Sequence, residues 1–366
     1  MHVGPTGGTL CRESMRGALL LFLLALLSLP AGAAAAEEWQ IIRHHNQEYV
    51  TLENVGRFYQ LGSVQKVGNH LSLRTQVRSL RGSIGSKEFY INNLKFILSH
   101  PIEQSEGRPI ISRMDLTKLI EPILRPSRIS SARKIDTVVL DAGHGGHDNG
   151  ARSSFGNEKA FSLDVALRAR LLLQRAGFKV VLTRTGDAFI PLEQRARFAN
   201  RYQNAIFISI HFNSASTMAT GLETYTLAPR GVPSMASDGP KASDFVQLPG
   251  NVRDAENIAL ACATHAALVY NSRMFDRGIK RARFVVIREI TIPGVLIEGG
   301  FLSNPQDARR IATPAYRQQM AGSILQAVQN YRNAVGNGPR ASGSVASREA
   351  LPKATGPRVI TTPARR

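Results

Sequence analysis

Three apolar runs in this chain each end on a side chain that can bind a metal or move a proton, and any fold must account for all three. Val138-Val139-Leu140 leads into Asp141-Ala142-Gly143-His144-Gly145-Gly146. Ile206-Phe207-Ile208-Ser209-Ile210 leads into His211-Phe212-Asn213. Gly294-Val295-Leu296-Ile297 leads into Glu298-Gly299-Gly300-Phe301. Short apolar runs bounded by turn residues read as buried strands. In an open α/β sheet, ligands bind in the crevice beyond the carboxyl ends of the strands. Three buried strands, each delivering one imidazole or carboxylate to that end, predict one site gathered from distant sequence.

The segments between these runs alternate in period. Apolar residues at helical spacing predict a helix over 158–176, with Phe161, Val165, Ala169 and Leu172 on one face and Gly177 as its stop. A strand is expected at 180–182, a helix over 192–202 and a strand at 224–227. A helix follows over 254–270, then strands at 284–287 and 294–297. A last helix is expected over 313–333, with Pro314 in its first turn. Strands alternating with helices imply an α/β fold with a mostly parallel sheet flanked by helices on both faces, over residues 135–335. Residues 229–253 show no period and are rich in Pro, Gly, Ser and Asp. A loop that long is expected either to be functional, bordering the substrate groove, or to be a mobile surface insertion.

Ahead of this unit, residues 37–126 read as a small α+β domain. Short strands are expected near Tyr49 to Leu52 and Leu71 to Leu73, and a hairpin at 88–98 turns on Asn92-Asn93. Asp115 is expected to cap a short helix reaching Leu119. The basic residues Lys66, Arg74, Arg78, Arg81 and Lys87 read as a solvated face, with an accessory role in holding an anionic polymer as the alternative. Residues 127–134 read as a linker. Residues 336–366 are Gly, Pro, Ser, Ala and Arg, which cannot build a core, so they read as a disordered basic tail.

The formal charge of +19 on 366 residues favours a polyanionic partner. The N-terminus narrows the choice. Arg12 and Arg16 precede an apolar run from Ala18 to Leu29, then Pro30 and a row of small residues. That is the pattern of a secretory signal peptide over 1–36, too short for a comfortable membrane span. Export to the periplasm, or secretion to the cell wall, makes nucleic acid the wrong polyanion. Cleavage near Ala36 also removes Cys11 and leaves Cys262 alone, so no internal disulfide is possible. The mature chain is expected to lack a transmembrane segment and to be a monomer.

His144, Glu158 and His211 would make a two-histidine, one-carboxylate metal site. Catalytic zinc commonly takes three such ligands and keeps a fourth position open for water. Glu298 arrives separately, as a general base beside that water would. Glu223 competes for this role; Glu298, at the end of its apolar run, is the better candidate. Asn213 is expected to face the substrate. His147 reads as a solvated neighbour of His144. Cys262 and His265 share the apolar stripe of their helix and read as core. Arg184 and Arg195 read as braces for loops, acting through ion pairs rather than binding substrate.

Taken as strings, Asp141 to Gly146, Glu158-Lys159, Thr183-Arg184, Ser209 to Asn213 and Glu298 to Asn304 resemble the zinc-dependent N-acetylmuramoyl-L-alanine amidases, in order and across nearly the whole second unit. The resemblance implies zinc on His144, Glu158 and His211, with Glu298 catalytic. It implies hydrolysis of the amide between the lactyl group of N-acetylmuramic acid and L-alanine in peptidoglycan. Phe212 and Gly299 depart from the commoner residues of the family, and neither is a ligand. Two other readings compete: a non-catalytic wall-binding or regulatory protein on the same fold, and a zinc peptidase cutting another stem-peptide amide. A protein activator or regulator is a further conceivable partner.

Overall fold

A computed structural model describes residues 39–235, 241–336 and the pair 360–361. The expected signal peptide and nearly all of the basic tail lie outside those residues. The N-terminal strands are β1 (Ile41–His44), β2 (Gln47–Thr51), β3 (Gln65–Val67), β4 (His70–Arg74), β5 (Ser79–Ser83), β6 (Glu88–Ile91), β7 (Leu94–Ile97), β8 (Glu103–Ser105) and β9 (Arg108–Ser112). The later ones are β10 (Thr137–Ala142), β11 (Arg152–Ser153), β12 (Gly156–Asn157), β13 (Lys179–Leu182), β14 (Ala205–Asn213), β15 (Leu222–Leu227), β16 (Asp276–Ala282), β17 (Gly294–Phe301) and β18 (Ile360–Thr361).

The main sheet has the order β13-β10-β14-β17-β15-β16-β7-β6-β5-β4-β3. Strands β13, β10, β14 and β17 run parallel, as their nearly continuous apolar runs require when both faces are covered. Strand β15 turns antiparallel to β17, and β16 follows β15 in parallel. The sheet is therefore mixed rather than uniformly parallel. The β3–β7 meander then continues the same sheet, because Phe96 on β7 pairs with Ile279 on β16. Strands β18, β1, β2, β9 and β8 form a second, five-stranded sheet.

Helices cover both faces of the parallel part. The helix Glu158–Arg175 buries Phe161, Val165, Ala169 and Leu173 and ends at Gly177, whose φ of 85° a Cβ would resist. Against the opposite face, Ala196 and Ala199 pack with Val286, Ile287 and Ile290 on Val139, Phe207 and Leu296 of three adjacent strands. Each large apolar side chain buried there contributes about 1.5–3 kcal/mol.

Three expectations need correction, and one helix was not foreseen. Residues 284–287 are not a strand: Val285–Arg288 is a short helix, and the neighbouring strand is β16. The cap near Asp115 is Ser112, whose hydroxyl accepts from the Asp115 N–H; the Asp115 carboxylate instead accepts from Ser99 N and His100 N. An unforeseen helix, Pro305–Ala312, starts from the side-chain cap of Asn304. Finally, the described residues of this loop, 229–235 and 241–253, do not border the groove. Register pairs Glu223 with Glu298 and Tyr225 with Leu296, so β15 exits level with the start of β17. The segment then packs beside Arg281, Arg283 and Ile287, at the sheet end opposite His211.

Candidate metal centre and catalytic crevice

His144 lies just beyond the carboxyl end of β10, with φ of 59°, a left-handed conformation uncommon outside glycine. Three features hold it there. Arg195 donates to the carbonyls of Ala142 and His144 at 2.7 Å each. Arg184 donates to the carbonyls of Ala142 and Gly143. Beneath both, the wholly buried Asp141 accepts from Arg195 at 2.9 Å, Thr183 at 2.6 Å and Ser209 at 2.7 Å. Burial alone would push the Asp141 carboxyl upward, but Arg195 and the two hydroxyls outweigh it and hold it below the usual range. Both arginines brace loops, but only Arg195 does so through the expected kind of ion pair, with Asp141; Arg184 braces through backbone carbonyls instead.

Glu158 opens its helix directly after the β11–β12 hairpin, which folds the chain back to the crevice. Its Oε2 lies 3.0 Å from His144 Nε2, and its Oε1 lies 2.8 Å from His211 Nδ1. The Oε1 also accepts from the Phe212 backbone N–H. One ligand atom from each of His144, Glu158 and His211 falls within 4.8 Å of the other two. Burial disfavours the Glu158 anion, yet the two imidazoles hold its carboxyl far below the ordinary value. Burial likewise disfavours protonated His144, but Glu158 and Asp148 more than offset this and raise its pKa. Glycine is required around the cluster. A Cβ at Gly143 would stand 2.3 Å from the His211 ring, and one at Gly150 would stand 2.5 Å from Glu158 Oε2.

Two nitrogens and one carboxylate oxygen, ionised and convergent, are the donor set a divalent zinc-like ion takes. Asp148 completes the pattern. It holds His144 Nδ1 at 2.8 Å, which leaves Nε2 to face the cluster. A carboxylate behind a ligating imidazole fixes its tautomer and orientation. Sequence reading missed Asp148; its place four residues after His144 in a Gly-rich turn was the available signal.

Glu298 sits directly opposite His211 in the parallel β14–β17 register. Its Oε2 is buried without a hydrogen-bond partner among the described residues. Burial raises its pKa well above the usual carboxyl value, the charges of Glu158 and Glu223 add to this, and Lys280 offsets part. Glu223, its rival from sequence, is differently placed. It is 2% exposed and already held by Arg277 at 2.6 Å, Lys280 at 2.5 Å, Tyr225 at 2.7 Å and Asn213 at 3.1 Å. Those partners hold its carboxyl below the usual range despite burial, so it is a fixed anion rather than a proton carrier. Asn213, expected to face substrate, donates one of its two side-chain amide N–H groups to Glu223. Elsewhere, His265 is enclosed between Thr224 and Asp276, which leaves Cys262 and His265 as packing residues.

Comparison with known proteins decides what this crevice belongs to. Residues 138–330 match the family model described as N-acetylmuramoyl-L-alanine amidase. The chain belongs to that family. It is accordingly a hydrolase of peptidoglycan. The amidase is similar to the N-acetylmuramoyl-L-alanine amidase AmiA of Escherichia coli strain K12, at 31% identity over 60% of this chain and 84% of the relative. It is also similar to the protein of that name in Salmonella typhimurium strain LT2, at 32% identity over 53% of this chain and 75% of the relative. The family match spans β10 to the last helix and leaves the β1–β9 region of the amidase outside it. No helix among the described residues is long and apolar enough to cross a membrane.

Proposed function

We propose that this amidase cleaves the bond between the lactyl carbonyl of N-acetylmuramic acid and the L-alanine nitrogen, with zinc held by His144, Glu158 and His211 and with Glu298 as the proton carrier. The observation that supports this most is the Glu298 Oε2 oxygen, buried without a partner among the described residues on the strand position opposite His211, one member of the His-Glu-His cluster. Bound zinc would polarise the scissile carbonyl and acidify the attacking water.

The remaining work falls to the chain. Glu298 accepts the proton of the attacking water and delivers it to the departing alanine nitrogen, as a carboxylate with a raised pKa can do in both directions. Asp148 keeps His144 Nε2 aimed at the ion. Arg195 and Arg184 hold the backbone that carries His144. Glu223 fixes Asn213 at the end of β14 and leaves Glu298 as the free acid of the pair. The β1–β9 region is proposed as an accessory, wall-holding part, with the amidase exported to the periplasm or the cell wall and acting as a monomer.

Glu298→Gln tests the assignment. The variant is expected to keep one zinc per chain and lose on the order of 10²–10⁴ of the turnover rate. Full turnover with zinc retained would contradict the role given to Glu298.

A further inference from the structure

The two flanks of the crevice differ in chemistry. At the β13–β10 flank, the loop after β13 lies against the Gly-rich turn: a Cβ on Gly145 would meet Ala188 O at 2.1 Å, and one on Gly146 would meet Phe189 N at 2.8 Å. The contact is stapled by Gly146 N–H to Asp187 at 2.8 Å and by Lys159 bridging Gly146 O and Asp187. This fixes the Phe189 ring beside His147, with centroids 4.2 Å apart and planes tilted by 37°. Phe189 is nonetheless 42% exposed, three residues along the turn's neighbour strand loop from Gly186 and next to the His144 turn. Held in place by the staple, the ring offers an apolar face beside the Gly-rich turn that carries His144.

The opposite flank, at the starts of β15 and β16, is cationic. Because β16 runs antiparallel to β17, its first residues lie at the crevice end of the sheet. Arg277 there donates through Nε to Glu223, lies 5.0 Å over the Phe301 ring, and has its side chain 32% exposed. Its position is set by the carboxylate and the ring, and a guanidinium has further N–H donors in the same plane. The flank with Phe189 instead carries the exposed carboxylate of Asp187, already paired with Lys159.

Resting on the proposed function, we infer that the crevice takes its substrate in one direction, with the muramyl ring against the Phe189–His147 pair and a stem-peptide carboxylate on Arg277. The apolar C–H face of a pyranose suits an aromatic surface, whereas the stem presents carboxylates, which a planar guanidinium binds with two parallel hydrogen bonds. The spacing agrees. Arg277 stands two strands beyond Glu298, about 10 Å at the usual strand separation. A carboxylate on the second stem residue lies about 7–10 Å from the scissile amide, allowing about 3.5 Å per extended residue.

Three compounds test this: N-acetylmuramoyl-L-Ala-D-Glu, the same molecule with lactate replacing the sugar, and N-acetylmuramoyl-L-Ala amide. Phe189→Ala is expected to raise KM about fivefold for the compounds that contain the sugar and by less than about twofold for the lactoyl compound. Arg277→Gln is expected to raise KM about tenfold for the two compounds carrying D-Glu, with N-acetylmuramoyl-L-Ala amide little affected. Lys280 remains to hold Glu223 in that variant. The reverse pattern, or equal losses on all three compounds, overturns the orientation. Calorimetric affinities of the same compounds for zinc-loaded Glu298→Gln, alone and combined with Phe189→Ala or Arg277→Gln, read the same pattern without turnover. Absence of wild-type cleavage would therefore count against the proposed function, while the affinities still decide the orientation.

Discussion

His144 shows how much of this site rests on single side chains. Its backbone is left-handed, at a cost of about 1–2 kcal/mol for a non-glycine residue, and its carbonyl is held by Arg195. Its Nδ1 is held by Asp148. Asp148→Asn is expected to weaken zinc binding about 10–100-fold, measured by competition with a chelator. Undiminished affinity would remove Asp148 from the account. The same titration carries a pH dependence. Glu158 and Asp148 raise the His144 pKa, and a ligating imidazole must lose its proton, so zinc affinity should climb as pH rises through and beyond the ordinary histidine range near 6.5. The candidate ligands were legible because each follows an apolar run or opens a helical period. Asp148 was not, since an aspartate among glycines and an asparagine reads equally well as a turn residue.

The elements were legible wherever burial imposed a pattern. β10, β14 and β17 are enclosed on both faces and read as apolar runs, and the helix Glu158–Arg175 reads by its stripe and terminal glycine. β16 escaped because it carries Asp276, Arg277, Lys280 and Arg281, whose charges are satisfied by Glu223, His265 and Ser99 through contacts no local pattern reveals. Phe284-Val285-Val286-Ile287 has strand composition but turns helical, where Val286 and Ile287 fill the core below β14 and β17. The tie between elements at Asp141 and Arg195 is a buried pair, with side chains 0% and 2% exposed. Removing one partner strands the other in the core. Arg195→Met is expected to lower stability by about 3–5 kcal/mol in denaturant unfolding near neutral pH. Asp141 has a depressed folded pKa, so the stability it contributes is present above its unfolded value of about 3.9 and is lost as pH falls through the folded value. The gap between wild type and variant should therefore close in acid. A variant equal in stability at pH 7 would show that the pair is not what fixes the His144 turn.

Across the whole molecule, the sheet joins two kinds of sequence. Its parallel half places the crevice, and its meander half, β3 to β7, continues past β16. Asp276 locks the junction by accepting from Lys95 N–H, Gly278 N–H and His265. This continuity could not be read from sequence, because edge-to-edge pairing leaves no periodic trace. The charge of +19 spread over the chain suits an anionic wall polymer, and the family match places peptidoglycan there as substrate. The most direct measurement is digestion of purified peptidoglycan by the zinc-loaded amidase, with mass spectrometry of the soluble products and a chelated sample alongside. The predicted result is free stem peptides that begin with an unblocked L-alanine, absent after chelation. Fragments cut within the stem, or the same L-alanine termini released without metal, would contradict the account.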